Sequence, residues 1–229
     1  MHTSVLQKEV IELLDPKPNQ NFIDCTLGFG GHALLLLEKT SPRGKLLGIE
    51  ADPEILKITE KRLREQYKNR VILASDNFSN LKKIIEKEKF DRVQGILFDL
   101  GFSSWHLEQS KKGFSFLKSE PLDMRYSPAN PLTAEQIVNY WSLAEIARIL
   151  TEYGQETFSQ IIAQKIIDYR KTRQIKTTDQ LAKIIQNAVP QKRKRINAAT
   201  QTFQALRIAV NGELKNLQIA LPQALDILV

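Results

Sequence analysis

Asn21-Phe22-Ile23-Asp24-Cys25-Thr26-Leu27-Gly28-Phe29-Gly30-Gly31-His32-Ala33 is the stretch whose reading decides the fold. Asn21 to Leu27 reads as a short buried strand, and a helix follows from about His32 to Glu38. Between them Gly28 to Ala33 fits the spacing G-x-G-x-x-G/A, directly after a strand and opening a helix. Glycines there permit positive φ and let a ligand approach the backbone closely, while the helix N-terminus offers unpaired N–H groups to an anion. Glu50 lies 22 residues past Gly28 and ends the second strand, near the spacing of about 20 expected of a ribose-binding acid. Two cofactors fit this constellation, a dinucleotide and S-adenosylmethionine, and the glycine loop alone does not choose between them. The plain structural alternative is a tight turn with an exposed glutamate.

Working outward, Lys45 to Ile49, Arg70 to Ala74 and Val93 to Asp99 read as three further strands. Helices fall between them, one opened by Asp52-Pro53 as cap and first-turn proline. The βαβαβαβ order predicts an α/β fold, a Rossmann-like parallel sheet with helices on both faces. Asp76-Asn77-Phe78 after the third strand suits either an adenine or a helix cap with a core aromatic. Asp99 ends the fourth strand at the carboxyl edge of the sheet, where open α/β folds bind ligands. A carboxylate ending a buried strand is seldom needed for packing, which favours function there.

Beyond Gly101 the pattern changes. Phe102 to Pro131 is long, irregular and aromatic, and connections of that kind are usually functional. From Thr133 the periodicity is helical, opened by Thr133 and Gln136 at capping-box spacing. The expected organisation is a sheet domain over 1–104 and 201–229, with an inserted all-helical domain over 105–200. A last helix runs from about Glu213 to Leu221.

The 229 residues carry a net charge of +7 and a single cysteine, Cys25. A disulfide scaffold is excluded, and no apolar run approaches the roughly 18 residues of a membrane helix. Met1-His2-Thr3-Ser4 shows no secretion signal, so a cytoplasmic protein is expected. Gln160 to Lys215 holds twelve Lys/Arg against three acids, leaving the rest of the chain slightly acidic. Such a localised basic stretch, with Lys192-Arg193-Lys194-Arg195 unbroken inside it, suits nucleic-acid phosphates; a solvated helical face reads as well from charge alone.

Longer motifs carry a family resemblance. They are His2 to Leu6, Asp24 to His32 (DCTLGFGGH), Gly95 to Ser104 (GILFDLGFSS), Lys112 to Phe116, Pro121 to Arg125 (PLDMR), Tyr153-Gly154, and Thr200 to Asn211 (TQTFQALRIAVN). Through them the chain resembles the bacterial ribosomal RNA small-subunit (cytosine-N4)-methyltransferases, the RsmH or MraW family. The resemblance implies a class I methyltransferase fold with an inserted helical domain, and S-adenosylmethionine as methyl donor. It implies as acceptor the N4 amine of a decoding-region cytosine in small-subunit (16S) ribosomal RNA, free or in the 30S subunit.

Carried over by motif, Gly30, Gly31 and His32 would line the methionine end of the cofactor. Glu50 would bind the ribose, in a position where the family usually has aspartate. Phe78 would contact the adenosine, and Asp99 would lie near the reacting methyl as the catalytic acceptor. His106 would reach the cofactor from a position where the family commonly has glutamine. No metal site is implied. Family members continue with a Gly-Gly turn and a strand ending Ser-Phe-His-Ser-Leu-Glu-Asp. The resemblance therefore implies C-terminal strands missing here, so that a four-stranded core would leave an unpaired edge and apolar faces uncovered. A homologue that binds RNA or the ribosome without turnover is the alternative; a nicotinamide dehydrogenase rests only on the glycine loop and Glu50.

Overall fold

The computed structural model describes residues 5–189 and 199–229. The Lys192–Arg195 run and the Met1–Ser4 start lie outside the described residues. The helices are α1 (Gln7–Leu14), α2 (Gly31–Lys39), α3 (Pro53–Tyr67), α4 (Leu81–Glu88), α5 (Ser104–Glu108), α6 (Ala134–Tyr140), α7 (Leu143–Glu152), α8 (Ser159–Arg170), α9 (Thr178–Ala188), α10 (Ala199–Asn211) and α11 (Glu213–Ile227). The strands are β1 (Asn21–Asp24), β2 (Leu46–Glu50), β3 (Val71–Ser75) and β4 (Val93–Leu97). None of the described helices is long and apolar enough to cross a membrane.

The four strands form one parallel sheet in the order β3-β2-β1-β4. Alternate residues feed two cores, as the two-residue period of a strand requires. Phe22 and Leu46 face a cluster with Leu36 and Leu37 of α2 and Leu56 and Leu63 of α3. Their chain neighbours Ile23 and Leu47 face a second cluster with Leu81 and Ile84 of α4 and Ala224 of α11. The chain leaves β1 toward β2 on one side and later returns to place β4 on the other. The switch point therefore falls between the carboxyl ends of β1 and β4, where an open α/β sheet forms its ligand crevice.

One sequence expectation changes beside this sheet. The last helix does not stop at Leu221 but runs to Ile227 with Pro222 inside it. Proline costs a helix a hydrogen bond, yet Ala224 and Ile227 pack into the core beyond it. Gln223 also accepts from the Lys82 N–H and donates to the Ser79 carbonyl, tying the helix to the start of α4. The outer edge of β4 is met only at its start, where Leu228 forms an isolated parallel bridge to Val93 and the Val229 N–H donates to the Val93 carbonyl at 3.1 Å; among the described residues no strand pairs with the rest of that edge, as expected.

The chain divides into two compact units. One takes the residues up to Gly101 and again Leu214–Val229; the other is Phe102–Glu213. The boundary read from the sequence at 200/201 cuts α10, whose Ala199, Phe203, Ala205, Leu206 and Val210 are buried in the helical core with Ile146, Leu150, Ile162 and Ile185. The division at 213/214 keeps that packing intact. At the other end, 104/105 falls inside α5, and the division lies before Phe102.

Within the helical unit, Thr133 and Gln136 form the expected capping box at α6, and Ser142 and Thr177 start α7 and α9 in the same way. The Pro121-to-Arg125 motif is structural there. Arg125 binds both carboxylate oxygens of Asp123 and donates to the Asn130 carbonyl. Asn211 then ties the segment to the end of α10 through Met124 and Tyr126.

Candidate functional site at the carboxyl edge of the sheet

The loop from β1 to α2 turns through two left-handed glycines, Gly28 at φ +51° and Gly30 at φ +72°. A side chain at Gly30 would also press on Thr59, whose Cγ2 lies 3.0 Å from where its Cβ would be. From α3, Thr59 Oγ1 donates to the Gly28 carbonyl at 2.7 Å and Arg62 donates to the Phe29 carbonyl. The loop carbonyls are thus held on the α3 side. Gly30 is the N-cap of α2 with no side-chain cap, and Gly31 is the first helical residue. The first-turn N–H groups of α2 are the anion-binding kind.

Glu50 is engaged with backbone. Its Oε2 accepts the Gly28 N–H at 2.8 Å and its Oε1 accepts the Asp52 N–H at 2.9 Å. It pins the glycine loop to the end of β2, a second role that spacing alone did not reveal. Each carboxylate oxygen accepts more than one hydrogen bond, so ligand hydroxyls can share it.

Asp99 is about half exposed (48%) and its Oδ2 lies 3.6 Å from His32 Nε2. The Asp99 N–H donates to Thr26 Oγ1 at 2.7 Å. His32 is buried, and its Nδ1 has no hydrogen-bond partner among the described residues. An orphaned buried nitrogen is uncommon and points to a group that completes the site.

Asp24, which the sequence reading passed over as a site residue, ends β1 fully buried at 1% exposure. Its Oδ1 accepts the Thr26 N–H at 3.1 Å. Burial pushes its carboxyl up to about 7, against the Thr26 N–H bond and with the carboxylates of Glu50 and Asp99 adding to the rise. The signal that singled out Asp99, an acid closing a buried strand, was equally present at Asp24.

Phe78 lies past the end of β3, edge-on to Phe98 at 5.6 Å between ring centres. Asp76 and Asn77 act as caps: Asp76 Oδ1 accepts the Asn77 N–H and Asn77 Oδ1 accepts the Ser79 N–H. His106 belongs to the helical unit. It is the third residue of α5, its Nδ1 bonded to the Ser103 N–H and facing the Ser103 hydroxyl at 3.1 Å, with its ring buried against Phe114 and Tyr126. Phe114 is likewise core, stacked between Phe102 and Tyr126, and Phe116 packs edge-on to Phe203.

Hydrogen bonds and close contacts therefore join Gly28, His32, Glu50 and Asp99, with Asp24 and Thr26 behind them. Among the described residues no group of three or more His, Cys, Asp or Glu is placed to hold a metal ion. Helix N–H groups beside several carboxylates suit a ligand that carries both an anionic and a cationic or hydroxyl-bearing end.

The whole chain, residues 1–229, matches the model of the MraW methylase family. A ribosomal RNA small subunit methyltransferase H from Dehalococcoides mccartyi (strain ATCC BAA-2266 / KCTC 15142 / 195) is 45% identical over 227 residues, 99% of this chain and 64% of its own length. One from Clostridium botulinum (strain Kyoto / Type A2) is 42% identical, with 98% of this chain and 72% of its own covered. Among solved structures, an rRNA methylase from Streptococcus thermophilus aligns at 18% identity and a TM-score of 0.36, over 44% of this chain and 57% of that one. The chain thus spans 64% of the length of the Dehalococcoides relative.

Proposed function

The chain belongs to the MraW methylase family, and from that premise we propose that it takes part in S-adenosylmethionine-dependent methylation of the N4 amine of a cytosine in small-subunit (16S) ribosomal RNA. The observation that carries this reading is the set of groups at the switch point: a left-handed glycine loop opening α2, with Glu50, Asp99 and His32 tied to it or to one another. The residues fit the donor. The uncapped N-terminus of α2 suits the methionine carboxylate, Glu50 suits ribose hydroxyls, and Phe78 offers an apolar face to an adenine. The orphaned Nδ1 of His32 leaves a buried nitrogen for a ligand to satisfy.

When bound, S-adenosylmethionine supplies a methyl group activated by a sulfonium. The work of the protein is positioning and proton handling. The exocyclic amine of cytosine is a weak nucleophile because its lone pair is delocalised into the ring. Asp99, half exposed beyond β4 and fixed through its own N–H to Thr26, is placed to accept a hydrogen bond from an incoming amine and to take its proton. Close approach then depends on the target base being unpaired or flipped out of its stack.

The test is transfer of labelled methyl from S-adenosylmethionine to 30S subunits lacking the modification, with digestion to nucleosides and mass spectrometry. N4-methylcytidine is the expected product, and Asp99→Ala should slow its formation by about 10²–10⁴-fold. Label in another nucleoside would overturn the N4 assignment, and unchanged turnover in the variant would remove Asp99 from the reaction. RNA affinity should fall steeply with salt, and neutralising Lys192 to Arg195 should flatten that dependence. An unaltered salt slope would place the phosphate contacts elsewhere.

A further inference from the structure

Asp24 is a buried ionisable group beside the candidate site with no task in methyl transfer so far. Three carboxylates close successive neighbours in the sheet: Asp24 ends β1, Glu50 ends β2, and Asp99 follows β4. Glu50 and Asp99 each answer to the backbone around them, and Asp99 reaches solvent. Asp24 lies behind both, wholly buried, with Thr26 as its hydrogen-bonding neighbour. Thr26 couples the layers, since its N–H serves Asp24 while its Oγ1 receives the N–H of Asp99.

Among the described residues, the ionisable groups acting on Asp24 are Glu50 from β2, Asp99 from beyond β4 and the neighbouring thiol of Cys25. Burial and the two carboxylates raise Asp24; the Thr26 bonds lower it; the cysteine thiol is itself pushed well up and stays neutral. No cation faces Asp24 from these elements. Beside the acids, His32 stands buried with Nδ1 unpartnered and its ring turned to Asp99. That orphan is an independent sign that a ligand completes this corner.

Without a ligand, then, the carboxyl of Asp24 is the cheapest place in the cluster to keep a proton. A positive charge arriving among these acids reverses that preference, because an adjacent cation favours the ionised carboxyl. We infer that Asp24 is a charge-sensing specificity group, ionising and releasing its proton to solvent when a cationic sulfonium occupies the site, and so favouring the methyl donor over its neutral thioether product. This rests on the donor reading above and deepens it. It gives the site a reason to release S-adenosylhomocysteine, which differs from the donor in a methyl and in the charge on sulfur.

The test is calorimetry of S-adenosylmethionine and S-adenosylhomocysteine binding at pH 6, 7 and 8, with wild-type chain and Asp24→Asn, in buffers of different ionisation enthalpy. The α-amino groups of the two ligands titrate in the same way whichever protein is present, so the ratio of the two affinities, compared between wild type and Asp24→Asn, isolates the contribution of Asp24. In wild type that ratio should rise with pH, by up to about tenfold between pH 6 and 8, with more proton release for the donor. In Asp24→Asn that rise should be absent, leaving only the pH dependence that the ligands' own amino groups contribute. An equal pH dependence in both proteins overturns the inference and leaves the donor reading standing. Failure of wild type to bind either ligand overturns both.

Should Asp24→Asn not fold, the carboxyl carbon of Asp24 in wild type can be followed by NMR through the same pH range. The donor should hold it ionised at pH 6, while the thioether leaves its midpoint near that of the free protein. A midpoint that S-adenosylmethionine does not move overturns the inference.

Discussion

The two units treat their polar side chains in opposite ways. In the helical unit the polar side chains at helix starts find partners nearby, while Thr202 Oγ1 is buried without one among the described residues. Thr133, Ser142 and Thr177 cap helices reciprocally with Gln136, Glu145 and Gln180. Burial works against the charge on Asp123, yet the bonds from Arg125 hold it below the usual carboxylate range. The carboxyl edge of the sheet does the reverse. It gathers Asp24, Glu50 and Asp99 at neighbouring strand ends and, among the described residues, leaves His32 Nδ1 unmet. The pair of histidines shows the contrast at one residue type. Both are buried, but His106 closes a capping box inside an aromatic cluster while His32 faces a carboxylate. Groups left unsatisfied in a native fold cost stability and persist where function needs them.

The contrast breaks most visibly at Asp24. Its carboxyl sits near 3.8 in the absence of structure and about 7 in the folded chain. Between those values the folded state holds a proton that the unfolded state has released. Stability therefore falls as pH rises through that window, and levels off above the folded value. The slope contributed is up to about 1.4 kcal/mol per pH unit. Urea unfolding at pH 5 and pH 8 should show wild type losing up to about 2–3 kcal/mol from this source and Asp24→Asn escaping that loss. An identical pH dependence in both would mean that the acid is stabilised when charged.

His106→Ala probes the helical side of the comparison. It removes a helix cap and a ring packed against Phe114 and Tyr126, and should cost about 2–4 kcal/mol at neutral pH, read from the urea midpoint. Thr133→Ala, which removes one capping hydroxyl from α6, should cost about 1 kcal/mol by the same measurement. If His106→Ala proves no worse than Thr133→Ala, His106 is not a packing residue, and the cofactor role suggested by the motif gains ground.

The contrast also explains what the sequence disclosed. Strands and glycine loop were legible because their signals are local: apolar runs, glycine punctuation, and helix starts marked by Asp52-Pro53 or Thr133 with Gln136. The candidates Glu50 and Asp99 could be named because they stand at strand ends, while Gly30, Gly31 and His32 were named through the family motif in the loop. What they do to one another could not. The bond from Gly28 to Glu50 spans 22 residues and that from Asp99 to Thr26 spans 73, so neither leaves a trace in periodicity. Asp24 was hidden by the apolar run that it ends. α11 runs past the expected end near Leu221 because Ala224 and Ile227 are held by contacts with residues distant in sequence, which no local pattern carries.

The smallest effect is expected at Asp179, the counterpart of Asp24 in the helical unit. It lies in the first turn of α9, and its Oδ1 accepts from the Ser119 and Thr177 hydroxyls at 2.6 Å each. Those two bonds, Ser119 first, pull it from 3.8 to about 2. The sign is the reverse of that for Asp24: the stabilisation is present above about 3.8 and is lost as pH falls toward 2. Because the group is exposed, solvent and salt screen most of the gain. Asp179→Asn should therefore lower the melting temperature only slightly at pH 5, and the gap from wild type should close by pH 2. A gap that stays constant would show that the amide fails through lost hydrogen-bond geometry, and that charge at Asp179 contributes nothing. One chemical group would then have been raised by burial in one unit and set by hydroxyl donors in the other, with only the buried one coupled to what the protein binds.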